Sequence, residues 1–271
     1  IIVSKIVLAN TNKVTELAGC GIAVTSQNAR AFVEYISDIE NLNYNVIPER
    51  KSIGRFGYIP DEGFSPFVDG LIFDGDASFA AMFQTVRSHG SETKWLETAA
   101  EVRAMSTTAK IILAASFASV LVGLLGALPF IVDLWGETEG GKTVAMMLAA
   151  SVWANPADSM YIGDFKTTDV QLEVRSDLLN NLPLMLDDSS KVSARDNFEG
   201  VVYDLCSGKG KSRSNRDLGI RKENRWKNAI LTNGERPLNS YVTQGGAINR
   251  IIEVECDEKV FEDPQYTANF L

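Results

Sequence analysis

One histidine and three cysteines are all that 271 residues offer of imidazole and thiol chemistry. Cys20, Cys206 and Cys256 lie far apart and form no C-x-x-C pair, which excludes a disulfide framework or zinc knuckle and points to a reducing, cytoplasmic compartment. His89 stands in the polar run Arg87-Ser88-His89-Gly90, so a histidine-dependent triad is disfavoured. Basic residues are in deficit too: 26 against 35 acids leave a net charge of -9, the wrong sign for a protein that coats DNA over its whole surface. No basic segment precedes an apolar one near Ile1, so no secretory signal is expected and the chain reads as a fragment or processed form.

Charge is missing altogether from Ile111 to Val132, a run long enough to span a bilayer. Its many small residues and Pro129 argue for a buried helix over about 107–125 and then a buried strand, with no membrane involved. Apolar residues make up 45% of the chain, enough for a sizeable core.

The strongest pattern follows directly. Gly136, Glu137, Thr138, Glu139, Gly140, Gly141, Lys142 and Thr143 satisfy G-x-x-x-x-G-K-[ST] in full. Glycines let successive backbone N–H groups turn toward phosphates, Lys142 reaches the β and γ oxygens, and Thr143 offers a hydroxyl to magnesium. The apolar run Pro129 to Trp135 before the loop and the helix-forming Val144 to Trp153 after it supply the setting that the pattern requires. A nucleoside triphosphate, ATP with Mg2+, is the expected ligand.

Further along, Leu182 to Leu186 ends in Asp187-Asp188, the form of a second phosphate-site strand in which Asp187 holds magnesium and Asp188 polarises the attacking water. Lys227 to Leu231 reads as another buried strand, tipped by Thr232-Asn233-Gly234-Glu235; Asn233 is the expected γ-phosphate contact and Thr232 the alternative. Arg250 precedes the strand Ile251 to Val254 and could reach a neighbouring subunit's nucleotide. Helices are expected after Ser26, over Glu92 to Glu101, Thr167 to Asn180 and 196–206. The fold class is therefore α/β, with a small α+β domain over 1–95 and a phosphate-loop core over 96–271.

The segments LWGETEGGKTVAMMLAASVWANP, NLPLMLDDSS, GKGKSRSNRDLGIRKENRWKNAILTNGE and GGAINRIIEVE resemble the domain of unknown function 927, within the wider likeness to ring-forming AAA+ ATPases. That family occurs in phage, plasmid and chromosomal-cassette proteins labelled as helicases and likened to MCM and superfamily 3 helicases. The resemblance implies a parallel sheet flanked by helices, assembly into a hexameric ring, and roles for Lys142, Thr143, Asp187, Asn233 and Arg250 as phosphate-loop, magnesium, sensor and finger residues. It departs from the AAA+ pattern at Asp188, where glutamate is usual, and the helical lid expected after the Arg250 strand reads as truncated.

Against the acidic whole, Ser207 to Lys227 carries eight bases and two acids, a local +6 that leaves -15 elsewhere. In the related ring helicases a hairpin is inserted here. Lys209, Lys211, Arg213, Arg216, Arg221 and Lys222 are thus expected to track the phosphates of single-stranded or forked DNA. The expected function is an ATP-driven DNA helicase motor of a mobile element or phage. The alternative is a nucleotide-dependent replication initiator or assembly module, and a small-molecule kinase is a weaker third.

Overall fold

The computed structural model describes residues 2–156, 160–189, 198–211, 223–243, 245–256, 259–261 and 263. It separates into two units, residues 1–52 and 53–271. In the first, the Ser4 side chain accepts from the Ile6 amide and opens a helical turn, α1 (Lys5–Leu8). A 3-10 helix over Val14–Cys20 ends at Gly21, whose φ of 84° lies in the left-handed region that glycine enters without cost. α2 (Ala29–Asn43) is the helix expected after Ser26, and its N-terminal end packs with Val14, Leu17 and Val24.

The second unit begins at Ile53, upstream of the division expected at 95/96. It opens with β1 (Ser52–Ile53), the antiparallel pair β2 (Gly57–Ile59) and β3 (Gly63–Ser65), β4 (Ile72–Phe73) and α3 (Ala80–Thr85). Aromatic packing explains why these residues belong to the larger unit. Phe56 is buried in its main core and stacks on Phe83 at 4.7 Å, while the Phe56 amide donates to the Leu178 carbonyl at 2.7 Å.

α4 (Glu92–Met105) runs into Ser106, whose hydroxyl accepts from the Ala109 amide and caps α5 (Thr107–Leu124). By length and composition α5 could cross a membrane. Its serines instead bond inside the α/β unit: Ser116 donates to the Ala149 carbonyl, and Ser119 donates to Asn181 O and accepts from the Ala229 amide. The uncharged run therefore splits as expected, into α5 and the strand β5 (Phe130–Trp135).

The remaining elements alternate: α6 (Lys142–Ala150), β6 (Ile162–Asp164), α7 (Asp169–Leu179), β7 (Leu184–Asp187), α8 (Phe198–Ser207), β8 (Ala229–Gly234), α9 (Gly245–Ile248) and β9 (Ile251–Glu255). Thr168 caps α7 by accepting from the Gln171 amide at 3.2 Å. All five strands of the main sheet are parallel, in the order β6-β7-β8-β5-β9. Strands covered by helices on both faces read as continuous apolar runs, as Leu184-Met185-Leu186 and Ala229-Ile230-Leu231 do.

The chain leaves β5 toward β6 at one edge of the sheet and crosses from β8 to β9 on the other side of β5. Such a reversal opens a crevice beyond the carboxyl end of the central strand.

Candidate functional site

The crevice is built by the loop that leaves β5. Gly136 has a φ of 147°, and a Cβ there would lie 2.7 Å from the Cys256 carbonyl oxygen, so no other residue fits. The Gly136 amide donates to the Gly234 carbonyl at 3.2 Å and the Cys256 amide to that of Trp135 at 2.8 Å, tying the loop's start to the strands on either side. Gly141 precedes α6 at φ 86°. The loop's next amides are thereby delivered at a helix N-terminus, where dipole and free N–H groups both favour an anion.

Lys142 is only 8% exposed. Its Nζ donates to the carbonyls of Gly136 at 2.9 Å and Glu137 at 2.5 Å, so the ammonium sits inside the curve of the loop. Thr143, one residue on, donates to Asp187 Oδ1 at 3.5 Å. Asn233, buried at the tip of β8, donates from Nδ2 to the same Oδ1 at 2.7 Å, and its own Oδ1 accepts from the Asp188 amide at 2.6 Å. Only one orientation of the carboxamide satisfies both bonds. Asp188 takes a φ of 59°, a left-handed turn that aspartate tolerates and that the Asn233 bond holds.

Phosphate loop, Thr143, Asp187, Asp188 and Asn233 thus converge on one cleft of about 580 Å³. Hydroxyl and carboxylate oxygens are the hard donors magnesium takes, and magnesium uses one or two such groups with phosphates and waters completing its shell. The donor set therefore fits that ion. Among the described residues no group of three or more His, Cys, Asp or Glu could hold a metal ion.

Thr232, the alternative to Asn233, faces away from the cleft. It is fully buried and donates to Asp133 Oδ1 at 2.6 Å, because successive side chains of a strand point to opposite faces. Asp133 Oδ2 accepts from the Leu238 amide at 3.0 Å. Burial, aided by the charge of Glu253, pushes the Asp133 carboxyl up to about 6, although the Thr232 and Leu238 bonds pull it down.

A carboxyl near 4 when unfolded and about 6 when folded binds its proton more tightly in the fold. Its contribution is complete below about pH 4 and is lost as the pH rises through about 6, on the order of 3 kcal/mol. Asp133→Asn removes this pH dependence, since the Thr232 hydroxyl can turn from donor to acceptor. Urea unfolding of both proteins between pH 4.5 and 7.5 measures it, the wild type weakening with pH in that window and the variant doing so less.

Glu235, Lys259 and Asp263 also line the cleft, and the sequence assigned them no role. Glu235 accepts from the Thr138 hydroxyl at 2.9 Å, so the tip of β8 touches the phosphate loop directly. Gly234 makes room for this, since a Cβ there would overlap Ser189 Oγ at 2.0 Å. Lys259 follows β9 without any motif to mark it.

Arg250 is not brought to this cleft. It precedes β9, at the end of the parallel sheet opposite the loop, and its Nη1 donates to the Cys206 carbonyl at 2.8 Å near the end of α8. The basic insertion begins and ends as an antiparallel pair: Lys209 bridges Arg225, Gly210 N donates to Asn224 O at 2.9 Å, and Trp226 N to Gly208 O at 3.0 Å. Lys209 is exposed. Lys211 forms ion pairs with Asp204 at 3.5 Å and Asp169 at 3.7 Å, so part of its charge is met within the chain. Arg213, Arg216, Arg221 and Lys222 lie outside the described residues.

A family model described as Domain of unknown function (DUF927) matches residues 2–225. A solved structure titled "SCCmec type IV Cch - active helicase" superposes with a TM-score of 0.70 at 15% sequence identity, covering 97% of this chain and 50% of that one. This chain therefore spans about half the length of that helicase structure, and the likeness is one of fold. No curated protein matches the sequence.

Proposed function

The chain belongs to the DUF927 family, and from that footing we propose that it is the ATPase core of a DNA helicase or translocase serving a mobile element. The observation that carries this reading is the convergence of Thr143, Asp187 and Asn233 on one carboxylate oxygen beside the glycine loop. That arrangement suits a phosphoryl-transfer site, where catalysis is mostly positioning and charge stabilisation. The loop amides and Lys142 hold the polyphosphate. Asp187 and Thr143 hold magnesium, which when bound offsets the charge of the phosphates. Asp188 accepts a proton from the attacking water as the water oxygen bonds to the γ phosphorus and the bond to the bridging oxygen breaks. Asn233 keeps the two acids in place.

Arg250 lies at the far end of its own sheet, away from its own cleft, and this reading assigns it to the nucleotide of a neighbouring copy in a ring. The antiparallel pairing of Lys209 with Arg225 at the base of the basic insertion supports the assignment of its bases to single-stranded DNA. The likeness to a helicase named for a chromosomal cassette agrees with a mobile-element setting.

ATP hydrolysis with and without single-stranded DNA tests the reading. DNA-stimulated turnover supports the motor. Turnover that ignores DNA sinks it and favours an assembly module, a reading to which the short, left-handed Asp188 also lends weight. DNA affinity measured against salt sharpens the test. Removing a single phosphate contact with Lys209→Ala lowers the slope of log affinity against log salt by about 0.7, whereas Lys211→Ala, whose charge is shared with two acids, changes it less.

A further inference from the structure

Among the described residues, the cleft is short of positive charge for a polyphosphate. Its lining includes the acids Glu139, Asp187, Asp188, Glu235 and Asp263 against two cations, Lys142 and Lys259. Lys142 lies beneath the loop, and Arg250 is at the wrong end of the sheet to help its own cleft. Among the described residues, Lys259 is the second cation that lines the cleft, and it is exposed.

Its placement is enforced by its neighbours. Beyond β9, Val260 and Phe261 lie against the phosphate loop. The Val260 amide donates to the Gly140 carbonyl at 2.7 Å. Val260 and Phe261 are buried, and Gly141 accommodates them, since a Cβ at that position would stand 3.3 Å from the Phe261 ring and 3.5 Å from Val260 Cβ. Two anchored residues thus hold the lysine before them at the rim of the loop.

The sheet order decides which part of a nucleotide this lysine meets. β8 and β7 lie on one side of β5 and bring Asn233 and Asp187 beside Thr143, so the metal and the terminal phosphate belong there. β9 lies on the other side of β5 and brings Lys259. We propose that Lys259 grips the phosphates shared by nucleoside di- and triphosphates, and so sets how tightly the product diphosphate is retained. This rests on the nucleotide reading given above. Charge-assisted bonds to phosphate are among the stronger polar contacts, and an exposed lysine makes them at a discount for solvent screening.

The test is equilibrium binding of ADP and of ATP, each with magnesium, to the whole chain carrying Lys259→Met or Lys259→Arg. Lys259→Met is expected to weaken both nucleotides in parallel, by about tenfold, leaving their ratio unchanged. Lys259→Arg should restore most of the loss, and faster ADP release from the methionine variant should accompany it. Unchanged binding of both nucleotides, or weakening of ATP alone, overturns the assignment. Because the lysine is exposed, an unchanged melting temperature separates these outcomes from misfolding. A wild-type chain that binds neither nucleotide overturns the nucleotide reading and this assignment together, which tells the two failures apart.

Discussion

Lys142→Ala is expected to abolish ATP hydrolysis and to lower nucleotide affinity by about a hundredfold. The ammonium lies within the loop, bonded to the Gly136 and Glu137 carbonyls, where an incoming phosphate oxygen competes for the same protons. Hydrogen bonds to a charged group contribute about 1.5–3 kcal/mol each, so one or two lost phosphate contacts account for the affinity change. Loss of a donor aimed at developing charge costs a further factor of about 100–1,000 in turnover. Some stability is lost as well, because the Gly136 carbonyl freed is buried, whereas Glu137 is exposed. Titration calorimetry and single-turnover hydrolysis read the two effects separately, and circular dichroism checks the fold. A variant that still turns over ATP at the wild-type rate would place the chemistry elsewhere.

Asn233→Ala has the second largest expected effect, and its pattern differs. This side chain makes no ion pair, yet it fixes both acids: one end donates to Asp187 and the other receives the Asp188 amide. Truncation removes the shorter of two bonds to Asp187 Oδ1, leaving that from Thr143, and takes the Asn233 acceptor from the Asp188 amide in its left-handed turn. Turnover should fall about a hundredfold while nucleotide affinity changes by less than about threefold, because the groups released act on the attacking water and metal rather than on the loop. Stability should drop by about 1–2 kcal/mol, the cost of the two hydrogen bonds lost. Asn233→Asp is expected to be no better, since one of its oxygens would face Asp187 and repel it. Equal losses in affinity and turnover would mean that Asn233 shapes the loop instead.

Much of this site could be read from residue order alone, for reasons that differ from element to element. The glycine loop is local: its geometry depends on consecutive residues, and Gly136, Gly141, Lys142 and Thr143 stand where the pattern requires. The strands β5, β7 and β8 could be read because a parallel strand buried on both faces is an unbroken apolar run. Asn233 could be ranked above Thr232 from its place at the strand tip; in the structure Asn233 donates to Asp187 and Thr232 to Asp133, on opposite faces of β8.

Other features depend on packing between distant residues. β6 is three residues long and carries no periodicity to detect, although Gly163 shapes it: a Cβ there would press on the Arg175 guanidinium at 3.2 Å. Lys259 gains its place only through Val260 and Phe261 lodging against Gly140 and Gly141, more than a hundred residues earlier. The position of the unit boundary follows from Phe56 stacking on Phe83 within the core of the larger unit, a contact that composition does not announce.

The central claim is that the cleft between the glycine loop and Asp187 binds a nucleoside triphosphate through magnesium. Titration of the chain with ATP, with and without Mg2+, beside Asp187→Asn, tests it most directly. The account predicts one ATP per chain, bound more tightly with Mg2+ in the wild type, and loss of that tightening in Asp187→Asn while metal-free binding persists. Wild-type protein that fails to bind ATP, or a magnesium effect that survives in Asp187→Asn, would contradict it.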